Sequence, residues 1–197
     1  MRANVPILVA LLVSVLAPPP LPGQAPTATS TPTTAEVWAA YGSAGPEHAV
    51  LARRVGSWDV TIRTWSAPGA TPREKTGHSE WQPILGGLFF EERFEIPSPE
   101  GAYSARGLAG FDRLRQAYVS TWVEADGTAI LHSEGHADAT GKILTFASDS
   151  PDPVHGTVKK IRTVETEVDA RTWTMEAYRA DVSGREYRSA VFIYHRR

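Results

Sequence analysis

The side chains of this chain best suited to acid–base or metal chemistry are its six histidines, His48, His78, His132, His136, His155 and His195. Two of them fall in His132-Ser133-Glu134-Gly135-His136. In a strand, residues two apart share one face about 7 Å apart at Cα. His132 with Glu134, or Glu134 with His136, could therefore chelate one ion, with a third ligand from another strand, such as His78 or Glu80. The plainer reading is the solvent-facing side of a hairpin beside the turn Asp126-Gly127. No metal is expected, and His132, Glu134 and His195 are the residues that would overturn that. His195 would point into a barrel if Val191 and Ile193 do, and could then ligate haem iron; the competing reading is a frayed terminus. His48 falls on a short helix, where packing is expected rather than catalysis.

Glu91, Glu92 and Glu95, with Arg93, form an acidic patch. Adjacent strand residues face opposite sides, so Glu91 and Glu92 make no carboxylate dyad, and a solvated outer face is expected. There is no Gly-x-Ser-x-Gly elbow, phosphate-binding glycine loop or His-Glu-x-x-His motif. With no cysteine there is no disulfide, thiolate metal site or cysteine nucleophile. A formal net charge of −2 argues against a dedicated nucleic-acid binder. Nothing assembles a catalytic constellation, and an enzyme is not the expectation. Aromatic residues are the better signal. Trp81, Phe90, Phe111, Trp122, Trp173 and Tyr178 lie on separate strand-like runs, either as core or as the lining of an apolar pocket. Trp81, Phe90, Phe111, Trp122 and Tyr178 are taken as candidate ligand-binding residues. Arg106, with Gln82 and Thr121, would supply the polar contacts.

The elements that must position these residues are mostly strands. From Gly56 the apolar period is two: Trp58, Val60 and Ile62 alternate with Asp59, Thr61 and Arg63. Further strand-like runs cover about 74–82, 87–96, 103–111, 117–124, 128–137, 142–148, 157–166, 172–180 and 186–195. Turn signals such as Ser98-Pro99-Glu100-Gly101, Thr140-Gly141 and Ser183-Gly184 separate them. Ten strands without intervening helices indicate an antiparallel up-and-down meander. Closing it into a barrel removes two unpaired edges, and above eight strands the interior outgrows its own side chains. A β-sandwich with a filled core is the competing architecture. Two short helices, within 34–42 and 43–54, precede the strands; Pro46 in a first turn and Gly42 as a stop mark them.

Residues 1–34 carry one charge before Glu36, at Arg2, and an apolar run of thirteen residues from Val5 to Ala17. That run is too short for a membrane span of roughly 20 residues and suits a secretory signal. Residues 1–25 are read as a signal peptide, 26–44 as a proline-rich, disordered or partly helical leader, and 45–197 as the barrel. A secreted or periplasmic protein without a membrane span in its mature chain is expected.

Gly56-Ser57-Trp58 resembles the Gly-x-Trp signature of lipocalin-like barrels. The resemblance implies that the Trp closes the barrel base under an arginine of the last strand, Arg196 or Arg197 here. Pro46-Glu47-His48, Leu51, Val55-Gly56-Ser57-Trp58, Ile84-Leu85-Gly86-Gly87, Gly107-Leu108-Ala109-Gly110-Phe111-Asp112 and Tyr118-Val119-Ser120-Thr121-Trp122 occur in that order. Together they resemble the bacterial family called domain of unknown function 1579, over about residues 45–197. That resemblance implies a barrel and no particular chemistry. A more distant similarity is to the nitrobindin family of ten-stranded haem-binding barrels, whose iron-ligating histidine lies near the position of His195. The expected function is binding of a small hydrophobic or amphipathic molecule without a cofactor. Haem or metal binding is one alternative, and a protein-interaction module with a solid core is the other.

Overall fold

The computed structural model describes residues 31–197. The expected signal peptide and the first part of the leader lie outside the described residues. Two short helices come first. α1 (Thr34–Tyr41) begins at a capping box, Thr33 Oγ1 accepting from Glu36 N–H while Glu36 takes the Thr33 N–H, and it buries no residue. α2 (Pro46–Ala52) has Pro46 in its first turn and buries His48 and Leu51.

Ten strands follow: β1 (Gly56–Thr64), β2 (Arg73–Ile84), β3 (Phe89–Ile96), β4 (Tyr103–Asp112), β5 (Ala117–Glu124), β6 (Leu131–Ala137), β7 (Ile143–Asp152), β8 (Thr157–Asp169), β9 (Thr172–Ala180) and β10 (Glu186–Arg196). Each pairs antiparallel with its neighbour in sequence, and β1 pairs with β10 from Trp58↔Arg196 to Thr64↔Ala190, closing the barrel. No unpaired edge is left, and the sandwich alternative is excluded. Between β2 and β3 the chain turns through a 3₁₀ segment at Leu85–Gly87, where Gly86 and Gly87 take positive φ.

Parity decides what lies inside. Trp58, Val60 and Ile62 of β1 face the bore; so do Ser79 and Trp81 of β2, and Phe90, Glu92 and Phe94 of β3, all buried. The cross-strand register carries this face around to Tyr118 and Trp122, then Gly135, Phe146, Thr163, Met175, Phe192 and Tyr194. Two glycines make room for large partners. A Cβ on Gly107 would stand 3.1 Å from the Trp122 ring, and one on Gly135 would stand 2.6 Å from that of Phe146. α2 packs against β3 and β4 and covers one end of the bore; the other rim consists of strand ends and turns. No helix among the described residues is long and apolar enough to cross a membrane.

Candidate functional site

The covered end is built from the residues where the helix meets the first strand. Leu51 is fully buried, and Tyr118 Oη donates to the Glu47 carbonyl at 3.3 Å. His48 Nδ1 accepts from Gly45 N–H at 3.0 Å, and its ring meets Phe111 edge-on. Burial, then the nearby Arg113 guanidinium, holds the His48 imidazole below its ordinary pKa. Trp58 Nε1 donates to the Arg54 carbonyl at 2.8 Å. The Arg196 guanidinium lies 4.1 Å over the Trp58 ring and donates to the carbonyls of Val55 and Arg53, each at 2.7 Å. A cation over an indole face with its N–H groups on helix-end carbonyls ties the last strand to the chain entering the first. Gly56 is required there: its φ is +130°, and a Cβ would stand 2.5 Å from Arg196 Nη1. Gly56, Trp58 and Arg196 thus close the barrel together.

Inside this end lies a polar cluster. Glu92 is 5% exposed; its Oε1 accepts from Ser79 Oγ at 2.6 Å and from Tyr194 Oη at 3.4 Å. Burial is the largest cause that pushes the Glu92 carboxyl up to about 7. The Ser79 hydrogen bond and Arg54 work against it, and the Glu165 charge adds to it. Burial, then the Glu92 charge, raises the Tyr194 hydroxyl well above its ordinary range. Arg54, at the end of α2, reaches in to meet Glu165 at 2.5 Å, its guanidinium 4.8 Å from the Trp173 ring centre and 5.6 Å from that of Trp81. Trp173 stacks on Tyr194 at 3.7 Å.

Towards the uncovered end the wall changes. Phe94 spans the bore to touch both Phe192 and Trp122, with ring centres 6.1 and 5.9 Å away. Phe94 is buried, but Trp122, Met175 and Phe192 are only half-buried, and β5 to β9 present small side chains at Ser120, Ser133, Ser148, Thr163 and Ala177. At the rim Tyr103 Oη donates to Glu124 at 2.7 Å, and burial with that bond raises the Tyr103 hydroxyl. Arg179 donates to Tyr187 Oη at 2.8 Å and, among the described residues, makes no ion pair.

Of the expected ligand-binding residues, Trp81, Phe90, Phe111 and Trp122 face inward, but only Trp122 belongs to the uncovered half. Tyr178 and Arg106 face outward, a correction that parity requires. Tyr178 lies between the inward Ala177 and Arg179 and under the Arg162 guanidinium at 4.1 Å, whereas Arg106 donates to the carbonyl of Ala105. Gln82 pairs with Glu91 on the outside, and Thr121 is also outward. His195 is exposed and outward, since Tyr194 takes the inward place; His78, His132 and His136 are outward on their strands, and His48 alone of the six is buried, on α2 against Phe111. His132 and Glu134 lie on the outer face, where Glu134 meets Arg115 at 3.5 Å. Both line a shallow groove of about 700 Å3 that also includes Leu108, Val119, Ile130 and Lys160. Among the described residues no three histidine, aspartate or glutamate side chains converge on a metal position. Glu91 and Glu95 sit outside as expected, but Glu92 does not, and the sequence reading missed it. The signal was Phe90-x-Glu92-x-Phe94, a carboxylate in step with two core aromatics.

A closed ten-stranded antiparallel barrel with one end sealed by a short helix defines the class of protein. The chain belongs to the family described as "Protein of unknown function (DUF1579)", which it matches over residues 43–196. No relative was found among the curated proteins. Of the solved structures, Rv2717c from M. tuberculosis superposes with a TM-score of 0.55 at 14% identity, covering 79% of this chain and 99% of that one. A redesigned β-barrel superposes at 0.42 with 11% identity, over 75% of this chain and 95% of its own. A structure described as bound to DFHBI superposes at 0.40 with 10% identity, over 77% and 99%. Rv2717c shares the fold with this chain; the other two superpose too loosely to carry an argument.

Proposed function

We propose that the barrel binds a small amphipathic molecule through its uncovered end, outside the cytoplasm and without covalent chemistry. One observation carries the reading: Trp122, Met175 and Phe192 point into the bore yet remain half-buried, while Trp58, Trp81, Phe90, Trp173 and Tyr194 towards the helix-covered end are buried. Apolar surface facing an open mouth gains roughly 25 cal/mol per Å2 when a ligand covers it. Arg179 at the rim supplies a guanidinium free of carboxylates, so an apolar body with an anionic head fits best. The bound molecule rests its tail on Trp122, Phe192 and Met175 and leaves its head at Arg179 and Tyr187.

Dodecanoate is a suitable probe. Calorimetry is expected to show saturable binding of one molecule per chain. Arg179→Gln weakens it about tenfold, the loss of one charge-assisted hydrogen bond, and Ala177→Trp, which fills the bore, abolishes it. Absence of saturable binding, or binding indifferent to both substitutions, overturns the reading. Export is tested separately by cell fractionation: loss of residues 1–25 is expected to retain the chain in the cytoplasm.

A further inference from the structure

α1 is a fully capped helix that packs on nothing. It has eight residues, with Thr33 and Glu36 closing one end and Gly42 the other, and it buries none of them. Isolated helices shorter than roughly twelve residues are marginal in water, and most helices are held by packing an apolar face. α1 has such a face. Val37, Trp38 and Tyr41 fall within about 100° of the helix circumference, and they are 52%, 67% and 41% exposed. The Trp38 and Tyr41 rings meet edge-on, 5.8 Å apart; Glu36 and Ala39 lie on the opposite side. Only Ser43 and Ala44 separate the cap of α1 at Gly42 from that of α2 at Gly45. Ser43 Oγ donates to the Ala40 carbonyl at 2.9 Å, and the Gly45 N–H donates to His48 Nδ1 at 3.0 Å. A two-residue link anchored at both ends therefore holds α1 off its own barrel, with the apolar face turned to any neighbour.

The outer wall of the barrel carries the matching concavity, the groove of about 700 Å3. Outward side chains of three neighbouring strands, Phe89 of β3, Leu108 of β4 and Val119 of β5, supply its apolar floor, with Ile130 in the turn before β6. Gly110, opposite Phe89, makes room for that ring: a Cβ there would stand 2.7 Å from Phe89 Cδ1. The charges on its rim are paired with one another, Arg115 with Glu134 at 3.5 Å and Lys160 with Asp149 at 2.6 Å, so neither sign dominates and an apolar occupant is favoured. A helix of eight residues is about 12 Å long and about 10 Å across with its side chains, and one face of it fits a groove of this size. We infer that α1 of one copy docks its Val37, Trp38 and Tyr41 face in the outer groove of a second copy and that the second copy returns the contact, giving a two-fold dimer. One helix face covers roughly 400 Å2, from two aromatics of about 150–250 Å2 each and a valine. With the groove wall, a single contact totals about 800 Å2, the size of an adventitious one, whereas the reciprocal pair reaches about 1,600 Å2, the size of a stable interface. Self-complementary exchange also closes the assembly at two copies. The interface shares no residue with the proposed ligand site at the mouth, so the two are independent.

Sedimentation velocity of the chain expressed from its full sequence, between about 1 and 100 µM, is the test. A reversible monomer–dimer equilibrium is expected within that range. Trp38→Ala falls on a helix that buries nothing, so the barrel is left intact, but it removes the anchor twice per dimer and should weaken association about a hundredfold or more. The decisive arm mixes two variants with exposed substitutions. Trp38→Glu spoils both helices of its own dimer and Leu108→Arg spoils both grooves, so each alone should stay monomeric. Mixed, they should associate: the intact helix of the second fits the intact groove of the first, and the remaining contact sets the introduced glutamate against the introduced arginine. A helix that settled in its own groove would give a concentration-independent monomer and no such rescue. Three results overturn the inference: a monomer throughout the range, a dimer that survives Leu108→Arg, or two variants that remain monomeric when mixed.

Discussion

Glu92 shows what one carboxylate does inside an apolar shell. Its folded pKa is about 7 against an ordinary value of 4.5. Between those values the unfolded chain has already released the proton that the folded chain retains, so the folded state binds more protons and stability falls as pH rises. The contribution is complete below about pH 4.5 and gone above about pH 7, a difference on the order of 3 kcal/mol. Glu92→Gln keeps the shape without the titration. Its denaturation midpoint is expected to gain on the wild type from about pH 4.5 to about pH 7 and to level off above that; a constant gap between the two proteins would show that Glu92 does not titrate in this range. At the base of the barrel, Arg196→Ala leaves the Val55 and Arg53 carbonyls without their donors and uncovers Trp58. A loss of about 2 kcal/mol is expected in urea unfolding, whereas a change under about 0.5 kcal/mol would show the arginine to be ornamental. These two sites differed in how readily the sequence showed them. Gly56-x-Trp58 with a terminal arginine is a local signature. Glu92 is harder to read, because the adjacent Glu91 suggests a solvated acidic patch while its facing is set by Phe90 and Phe94, two residues away on either side.

At the level of elements, the strands were legible because half-buried antiparallel strands alternate, and all ten appear close to their expected bounds. The facing of β10 was not. Ala190-Val191-Phe192-Ile193-Tyr194 is apolar at every position, so alternation cannot say which side is in, and the register shift between Arg188 and Ala190 breaks the count from the preceding turn. The facing of His195 stays open in the sequence for that reason. Tyr178 and Arg106 are hard to orient for a related one: the bore beside them is lined by small residues, Ala177 and Gly107, whose space is taken by Trp122 and other large side chains from across the sheet. Gly135 makes this dependence measurable. Its added Cβ would collide with the Thr145 carbonyl and the Phe146 ring. Gly135→Ala is expected to cost at least 2 kcal/mol in thermal or chemical unfolding, and a neutral substitution would mean that β6 and β7 are not paired as described. α2 is held by Leu51, which is fully buried. Leu51→Ala should cost about 3 kcal/mol and raise hydrogen exchange at the Trp58 and Trp173 indoles. Unchanged exchange at both would contradict a helix that seals this end.

For the whole molecule, closure and parity give the barrel two unlike ends. One is filled by Trp58, Trp81, Trp173 and Tyr194 around a buried carboxyl and sealed by a helix. The other exposes inward apolar side chains beneath the Arg179 guanidinium, which makes no ion pair among the described residues. The proposed binding at the mouth rests on the half-buried Trp122, Met175 and Phe192 and on the Arg179 guanidinium at the rim. Composition could suggest a hollow; only the strand register could say which end of it is open. The competing location is the outer-face groove of about 700 Å3, where a ligand or partner would never enter the bore. The chain contains two methionines, Met1 and Met175, and the second points into the bore beside Phe192. Methionine-methyl labelling therefore places a single reporter in the barrel. In a complex with dodecanoate, intermolecular nuclear Overhauser effects are expected between the ligand chain and the Met175 methyl, together with the Trp122 and Phe192 rings. Effects confined to Leu108, Val119 and Ile130, with Met175 silent, would contradict the account.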